Sequence, residues 1–228
     1  MRAFCSFRSL IGVCAMAAGI LAVPTAAHAQ VPVPCSETAL VEAINAANAA
    51  GGETLALFPF CTYTLTSAHA TGAAGPVGLP PVTAPIDIVG LASTIARAPS
   101  APPFRVLEID GPSNVAGTDG RLDLTSVTVR GGSASGSSGG GGIANLGGTL
   151  SLLSSSITGN TAVAGGGIYT DNGTVSLTAS SVTGNTATDF GGGGIYKNSG
   201  VVTLSAASVT GNTPDNCAPP GSVPGCTG

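Results

Sequence analysis

Residues 157–196 read ITGNTAVAGGGIYTDNGTVSLTASSVTGNTATDFGGGGIY, and one phrase occurs in them twice: ITGN with GGGIY, then VTGN with GGGGIY. Aligned on the asparagine, LSLLSSSITGN ends at Asn160, VSLTASSVTGN at Asn185 and VTLSAASVTGN at Asn212, intervals of 25 and 27 residues. A degenerate copy, LDLTSVTVRGG, ends at Gly132, 28 residues before Asn160. Each copy alternates apolar with polar residues: Leu122 and Leu124, Leu150 and Leu152, Val175 and Leu177, Val202 and Leu204. Alternation is the period of a strand with one buried face. The three- and four-residue apolar spacing of a helix is absent.

Strands this short cannot each hold a core, but stacked repeat upon repeat, about 4.8 Å apart, they fill a common interior. The alignment predicts the inward columns Ile143–Ile168–Ile195, Leu152–Leu177–Leu204 and Ile157–Val182–Val209. It predicts corner glycines at 140–142, 165–167 and 192–194, and a ladder of Asn160, Asn185 and Asn212. The expected fold class is all-β, a right-handed parallel β-helix (solenoid). A β-sandwich, the nearest rival, gives no reason for a repeat of this period.

Ahead of the repeats, Ser36 is placed to cap a helix in which Leu40, Val41, Ile44 and Ala47 form one apolar stripe, stopped by Gly51 and Gly52. An N-terminal amphipathic capping helix of this kind covers the open end of a stack. Residues 30–65 are expected as cap helix and first coil, and residues 66–228 as coils with a stapled tail. Irregular early coils are expected over 66–103, and SASGSSGGGG (133–142) reads as a flexible loop.

The chain begins with an address. Arg2 and Arg8 precede an apolar run from Leu10 to Val23, and AHA precedes Gln30, the pattern of a secretory signal peptide over residues 1–29. The run is too short to span a bilayer. Cleavage after Ala29 leaves 199 residues with five basic and eleven acidic side chains, a net charge of −6. That balance excludes nucleic acid and anionic membrane surfaces as partners, since both call for a basic footprint. No membrane span is expected in the mature chain, whose expected place is secreted, extracellular or at the cell surface. No Trp, one Lys among seven basic residues and abundant Ala, Gly and Val suggest GC-rich bacterial coding. Four cysteines remain, and four allow three connectivities; proximity in sequence pairs Cys35 with Cys61 and Cys217 with Cys226. With His69 the only mature histidine and no CxxC, neither a metal nor another cofactor is expected.

The repeat residues carry a family resemblance. ITGN with GGGI, then VTGN with GGGGI, resembles the repeat of the polymorphic outer membrane proteins, in which FxxN alternates with GGA[ILV]. Ile157, Val182 and Val209 stand for that Phe, and Gly167 and Gly194 for that Ala. The likeness covers Arg121 to Thr213. It implies a surface or adhesive role, although the membrane barrel of autotransported members is not expected here. The stretch from Cys35 to Leu65 is similar to the start of secreted right-handed β-helix proteins of bacteria.

Charge clusters between Asp87 and Arg130. With Leu107 and Ile109 inward, Glu108 and Asp110 share an outer face about 6–7 Å apart. Expected on an open strand face, both would be kept ionised by solvent. Together with Asp123 they are the candidate catalytic residues of a polysaccharide lyase or glycoside hydrolase of the pectate-lyase-like fold. Against this, the polygalacturonase set (NTD, paired Asp, GHG, RxK) is missing, and Pro102 stands where the lyase signature RxPxxR, begun by Arg97 and Pro99, requires Arg. Tyr169 and Tyr196 follow equivalent inward isoleucines and point outward one repeat apart, as a sugar platform or as a ladder that stiffens adjacent strands. Thr158, Thr183 and Thr210 form another outward column. The leading functional expectation is a secreted non-catalytic β-helix with a surface, adhesive or glycan-contacting role, its partner a polysaccharide or cell-surface glycan. The enzyme is the alternative, and a structural envelope protein the further one.

Overall fold

Alternation along each repeat puts every second side chain on the inner face, and the inner positions hold leucine, isoleucine or valine. In the structure, a computed structural model that describes residues 30–135 and 139–227, these positions pair in register. Leu152 stacks on Leu177 and Leu177 on Leu204; Ile157, Val182 and Val209 align; so do Ile143, Ile168 and Ile195. Most of these side chains are fully enclosed, and they belong to one continuous core that also takes in Leu40 and Ile44 of the helix. The expected signal peptide, residues 1–29, lies outside the described residues.

The described residues are mostly strand, with one helix among them, and nearly all pairing is parallel between strands one repeat apart. The largest sheet has eleven strands, running from Val31–Val33 through Glu53–Leu57, Pro85–Arg97, Arg121–Arg130, Thr149–Leu153 and Gly173–Thr178 to Gly200–Ser205. Its second limb carries Ser156–Thr158, Ser181–Thr183 and Ser208–Thr210. A five-stranded sheet stacks Leu107–Asp110, Ile143–Leu146, Ile168–Asp171, Ile195–Lys197 and Cys217–Ala218. Thr161–Ala164 pairs with Thr186–Gly191 as a third, two-stranded sheet. Among the described residues the one antiparallel pair is the hairpin Ala70–Gly72 with Gly75–Val77.

Two corners join these limbs by different means. At the first, one residue per repeat sits in the left-handed region: Ala92, Ser126, Ser154, Ala179 and Ala206, with φ between 48° and 55°. The next residue turns inward, and Ser155 and Ser180 are buried there. Ser155 Oγ accepts from Val127 N (3.2 Å), and Ser180 Oγ accepts from Ser155 N (3.0 Å). At the second corner Asn160, Asn185 and Asn212 form the expected ladder. Asn185 Oδ1 accepts from the backbone N and the side-chain Nδ2 of Asn160, both at 3.0 Å, and Asn212 Oδ1 does the same for Asn185. Each rung satisfies backbone groups that a buried turn otherwise leaves unpaired. The glycines that follow are required by space: a Cβ on Gly166 would lie 2.3 Å from the carbonyl of Thr186. SASGSSGGGG is therefore not a free loop throughout. Ser133 bridges to Thr161 and Gly139–Gly142 are buried, because this segment is the first copy of the glycine corner.

The helix Glu37–Ala50 is capped as expected, with Ser36 accepting from Ala39 N at 3.1 Å and Gly51 at φ 79° closing it. Leu40, Ile44 and Ala47 face the core, and Val41 lies at the margin. Cys35–Cys61 ties the helix entrance to the first repeat, and Cys217–Cys226 staples the tail, the two pairings read from sequence.

The stack gives a direct test of side-chain facing. Leu177 is enclosed between repeats, so Leu177→Asp buries an unpaired charge and is expected to cost at least about 4 kcal/mol or prevent folding. Thr178 is exposed on the opposite face, and Thr178→Asp is expected to stay within about 0.5 kcal/mol of wild type by denaturant unfolding. Equal effects at the two positions contradict the facing described here.

Candidate functional site

The strand Leu107–Asp110 brings Glu108 and Asp110 to the outer side of the five-stranded sheet, but that side is not open there. Residues 66–78 leave the wall as a hairpin whose tip, Ala73–Ala74, folds over it. Glu108 has 0% exposure, Asp110 is buried and Arg105 is 1% exposed. The expected solvated face is thus corrected: the cover comes from an insertion that follows no repeat and leaves no periodic trace in the sequence. Gly72 makes the closure possible, since a Cβ there would stand 2.0 Å from Glu108 Oε1.

Arg105 and Glu108 form a clasp. Arg105 donates through Nη2 to Ala74 O and through Nη1 to Gly139 O, holding the hairpin and the glycine segment at once. Glu108 accepts from Ala74 N at 3.3 Å. Arg105 Nε stands 3.3 Å from Glu108 Oε2 without the alignment of a hydrogen bond, and neither it nor Asp110 Oδ1 has a bonding partner. Burial pushes the Glu108 carboxyl up to about 7, against the pull of Arg105 and with the help of the Asp110 charge. Burial raises Asp110 as well, countered by the hydrogen bond from Glu108 and by Arg105. Both carboxyls are thus raised by burial, and the Arg105 guanidinium opposes the rise in each.

Asp123 does not join this pair. It lies on the eleven-stranded sheet, in register with Asp87, where Arg121 bonds to it and stands 3.6 Å from Asp87. Burial, then the Asp123 charge, raises Asp87. This second cluster is a partly solvated charged face. His69 lies at the base of the hairpin, 2.7 Å from Glu37 of the helix, which also accepts from Thr66 N and Oγ1. Among the described residues no three His, Cys, Asp or Glu side chains are grouped to hold a metal.

Tyr169 and Tyr196 continue the Glu108 column two and three strands on, through Ala144. Both are half-buried, and their rings stack with centroids 5.7 Å apart at an interplanar angle of 10°. One face of each ring is thus taken by the other. Tyr169 also packs on Gly139, where a Cβ would approach its ring to 2.4 Å. Three further outward rows are hydroxylic over the repeats: Ser151, Ser176 and Thr203 align, as do Ser156, Ser181 and Ser208, and Thr158, Thr183 and Thr210, while Asp123 and Arg130 precede the first and last of them in register and Asp171 and Asp189 also reach the surface.

A scan against protein-family models, a search of curated proteins and a search of solved structures each find no match to this chain.

The clasp sets a pH dependence. Glu108 is raised in the closed state relative to its ordinary 4.5, so its contribution to closure is full at pH below about 4.5 and is lost as pH rises through about 7. Hydrogen exchange at Ala73 and Ala74 is expected to speed up several-fold beyond its intrinsic pH trend between pH 5 and 8. Glu108→Gln, neutral at every pH, is expected to flatten that excess; an unchanged excess in this variant removes Glu108 as its cause.

Proposed function

We propose that the protein is an exported right-handed parallel β-helix whose role is non-catalytic contact with polysaccharide at or outside a cell surface. The parallel ladders at a 25–28-residue period support the helical path, and the strong preference of parallel-strand crossovers for the right-handed sense supports that hand. Residues 1–29 serve as the export signal, 30–65 as the cap and 66–228 as the stack. Two disulfides suit an oxidising compartment. Among the described residues no helix is long and apolar enough to cross a membrane. The likeness of the repeats to those of polymorphic outer membrane proteins supports a surface or adhesive role.

The observation that carries this reading is the outer surface of the repeats, where uncharged hydroxyl side chains recur in register while Glu108 and Asp110 are sealed beneath the hairpin. Such a surface hydrogen-bonds to sugar hydroxyls, and the Glu108 and Asp110 carboxyls beneath the hairpin are not open to a leaving oxygen. A second reading, polysaccharide cleavage, has one specific observation in its favour: the Glu108 carboxyl, raised to about 7 by burial, stands beside Asp110, and a raised carboxyl next to a second one is what an acid–base pair uses. It requires the hairpin to lift.

A glycan array with the mature, disulfide-bonded protein is expected to give binding to at least one polysaccharide class. Incubation with pectin, alginate, xylan or peptidoglycan, with and without calcium, is expected to release no product. Product release that disappears in Glu108→Gln or Asp110→Asn replaces this reading with the enzyme.

A further inference from the structure

The left-handed corner described above also shapes the surface. Where Ser126, Ser154, Ala179 and Ala206 bend the wall, the two limbs of the large sheet enclose an open groove of about 580 Å³ that crosses successive repeats. One wall is the in-register row Thr128, Ser156, Ser181 and Ser208, and Ser181 Oγ lies 3.1 Å from Ser156 Oγ. Small residues form the corner, and no charged side chain lines the groove. Leu91 and Ala92 stand at its N-terminal end.

That end is apolar and exposed. Leu91 is 57% exposed, and Phe58 and Phe60 are 47% and 76% exposed. The three are tied together: Phe60 N donates to Leu91 O at 2.9 Å, and Ser93 Oγ bonds to Phe58 O at 2.9 Å. Two of the four phenylalanines beyond residue 29 therefore sit in water beside one groove. Exposed rings next to a concave, hydroxyl-lined track have the composition of a sugar site, because a pyranose offers an apolar C–H face and an equatorial rim of hydroxyls.

We propose that this groove binds a linear, uncharged polysaccharide, with Phe58 and Phe60 packing on a sugar ring at its head and the serine row bonding the chain along its length. The inference deepens the polysaccharide reading and rests on it. Strands about 4.8 Å apart repeat the wall hydroxyl at close to the length of one unit of an extended β-linked chain, and four strands span about 14 Å. The track is open along its axis, which suits a polymer. A polyanion finds no cation in the lining and meets a mature chain of net charge −6. A peptide chain finds no free strand edge along the wall, since Ser156–Thr158 and Ser181–Thr183 are each paired on both sides.

The experiment titrates the mature protein with hexasaccharides of β-1,4-linked glucose, xylose and N-acetylglucosamine, with hexagalacturonate as the anionic arm and an unstructured Ser/Gly-rich peptide as the polypeptide arm. Variants are Phe60→Ala, Ser181→Tyr to fill the groove, and Tyr196→Ala to disturb the other aromatic pair, each first shown to keep the wild-type circular dichroism and unfolding midpoint. One neutral hexasaccharide is expected to bind. Phe60→Ala is expected to weaken it about tenfold, the loss of one aromatic contact; Ser181→Tyr is expected to abolish it and Tyr196→Ala to leave it unchanged. Binding lost in Tyr196→Ala but kept in Ser181→Tyr overturns the groove while leaving polysaccharide contact standing. Preference for the galacturonate or the peptide overturns it as well. Absence of binding to every sugar here and on the array overturns both readings together.

Discussion

Every buried backbone group at a turn inside a wall must find a partner, and at the asparagine corner of this chain the partner of Asn160 and of Asn185 is the same residue one repeat on. Asn185 shows the arrangement most fully: its amide nitrogen donates to Asn212 Oδ1, Ile157 O and Thr183 O, and its oxygen receives Asn160. Such a rung works only if the next repeat places an asparagine at the same height. The constraint therefore fixes register, and register in turn fixes which apolar side chains meet, which glycines face a carbonyl and which hydroxyls align outside. An amide lost from the ladder leaves several buried groups unpaired, each costing about 1–3 kcal/mol.

What recurs in the sequence was legible there. The three apolar columns, the asparagine ladder, the glycine corner and the helix with its serine cap follow from spacing alone, because each depends on chemistry repeated at a fixed interval or confined to a few neighbours. The clasp was not legible. Glu108 meets Ala74 and Arg105 meets Gly139 across more than thirty residues, through a hairpin that occurs once, so a strand pattern that reads as open is closed by a segment foreign to the repeat. The left-handed corner escaped for a different reason. Serine and alanine rarely adopt positive φ, and nothing in SSS, TASS or SAAS signals it except the run of small residues at the same offset.

The two charge clusters show how burial divides residues that composition lumps together. Asp87, Arg121 and Asp123 sit within one stretch with Arg105, Glu108 and Asp110, yet the first group is partly solvated and the second is buried. In the first, the arginine bridges two carboxylates in water and little free energy depends on it. In the second, removing Arg105 leaves the two buried carboxyls without their cation, and the hairpin and the glycine segment lose their shared anchor. The hairpin is thus held by few contacts of high individual weight, unlike the wall, which is held by many equivalent ones.

Hydroxyls in place of basic side chains on the outer faces have a further consequence. Between Arg130 and Lys197 the chain contains no lysine or arginine at all. An endoprotease that needs a basic side chain finds no bond to cut across the glycine corners and asparagine turns of the central repeats, folded or unfolded. Resistance to digestion in that region is written into composition as well as into stability, so it persists through transient opening, when fold alone gives no protection.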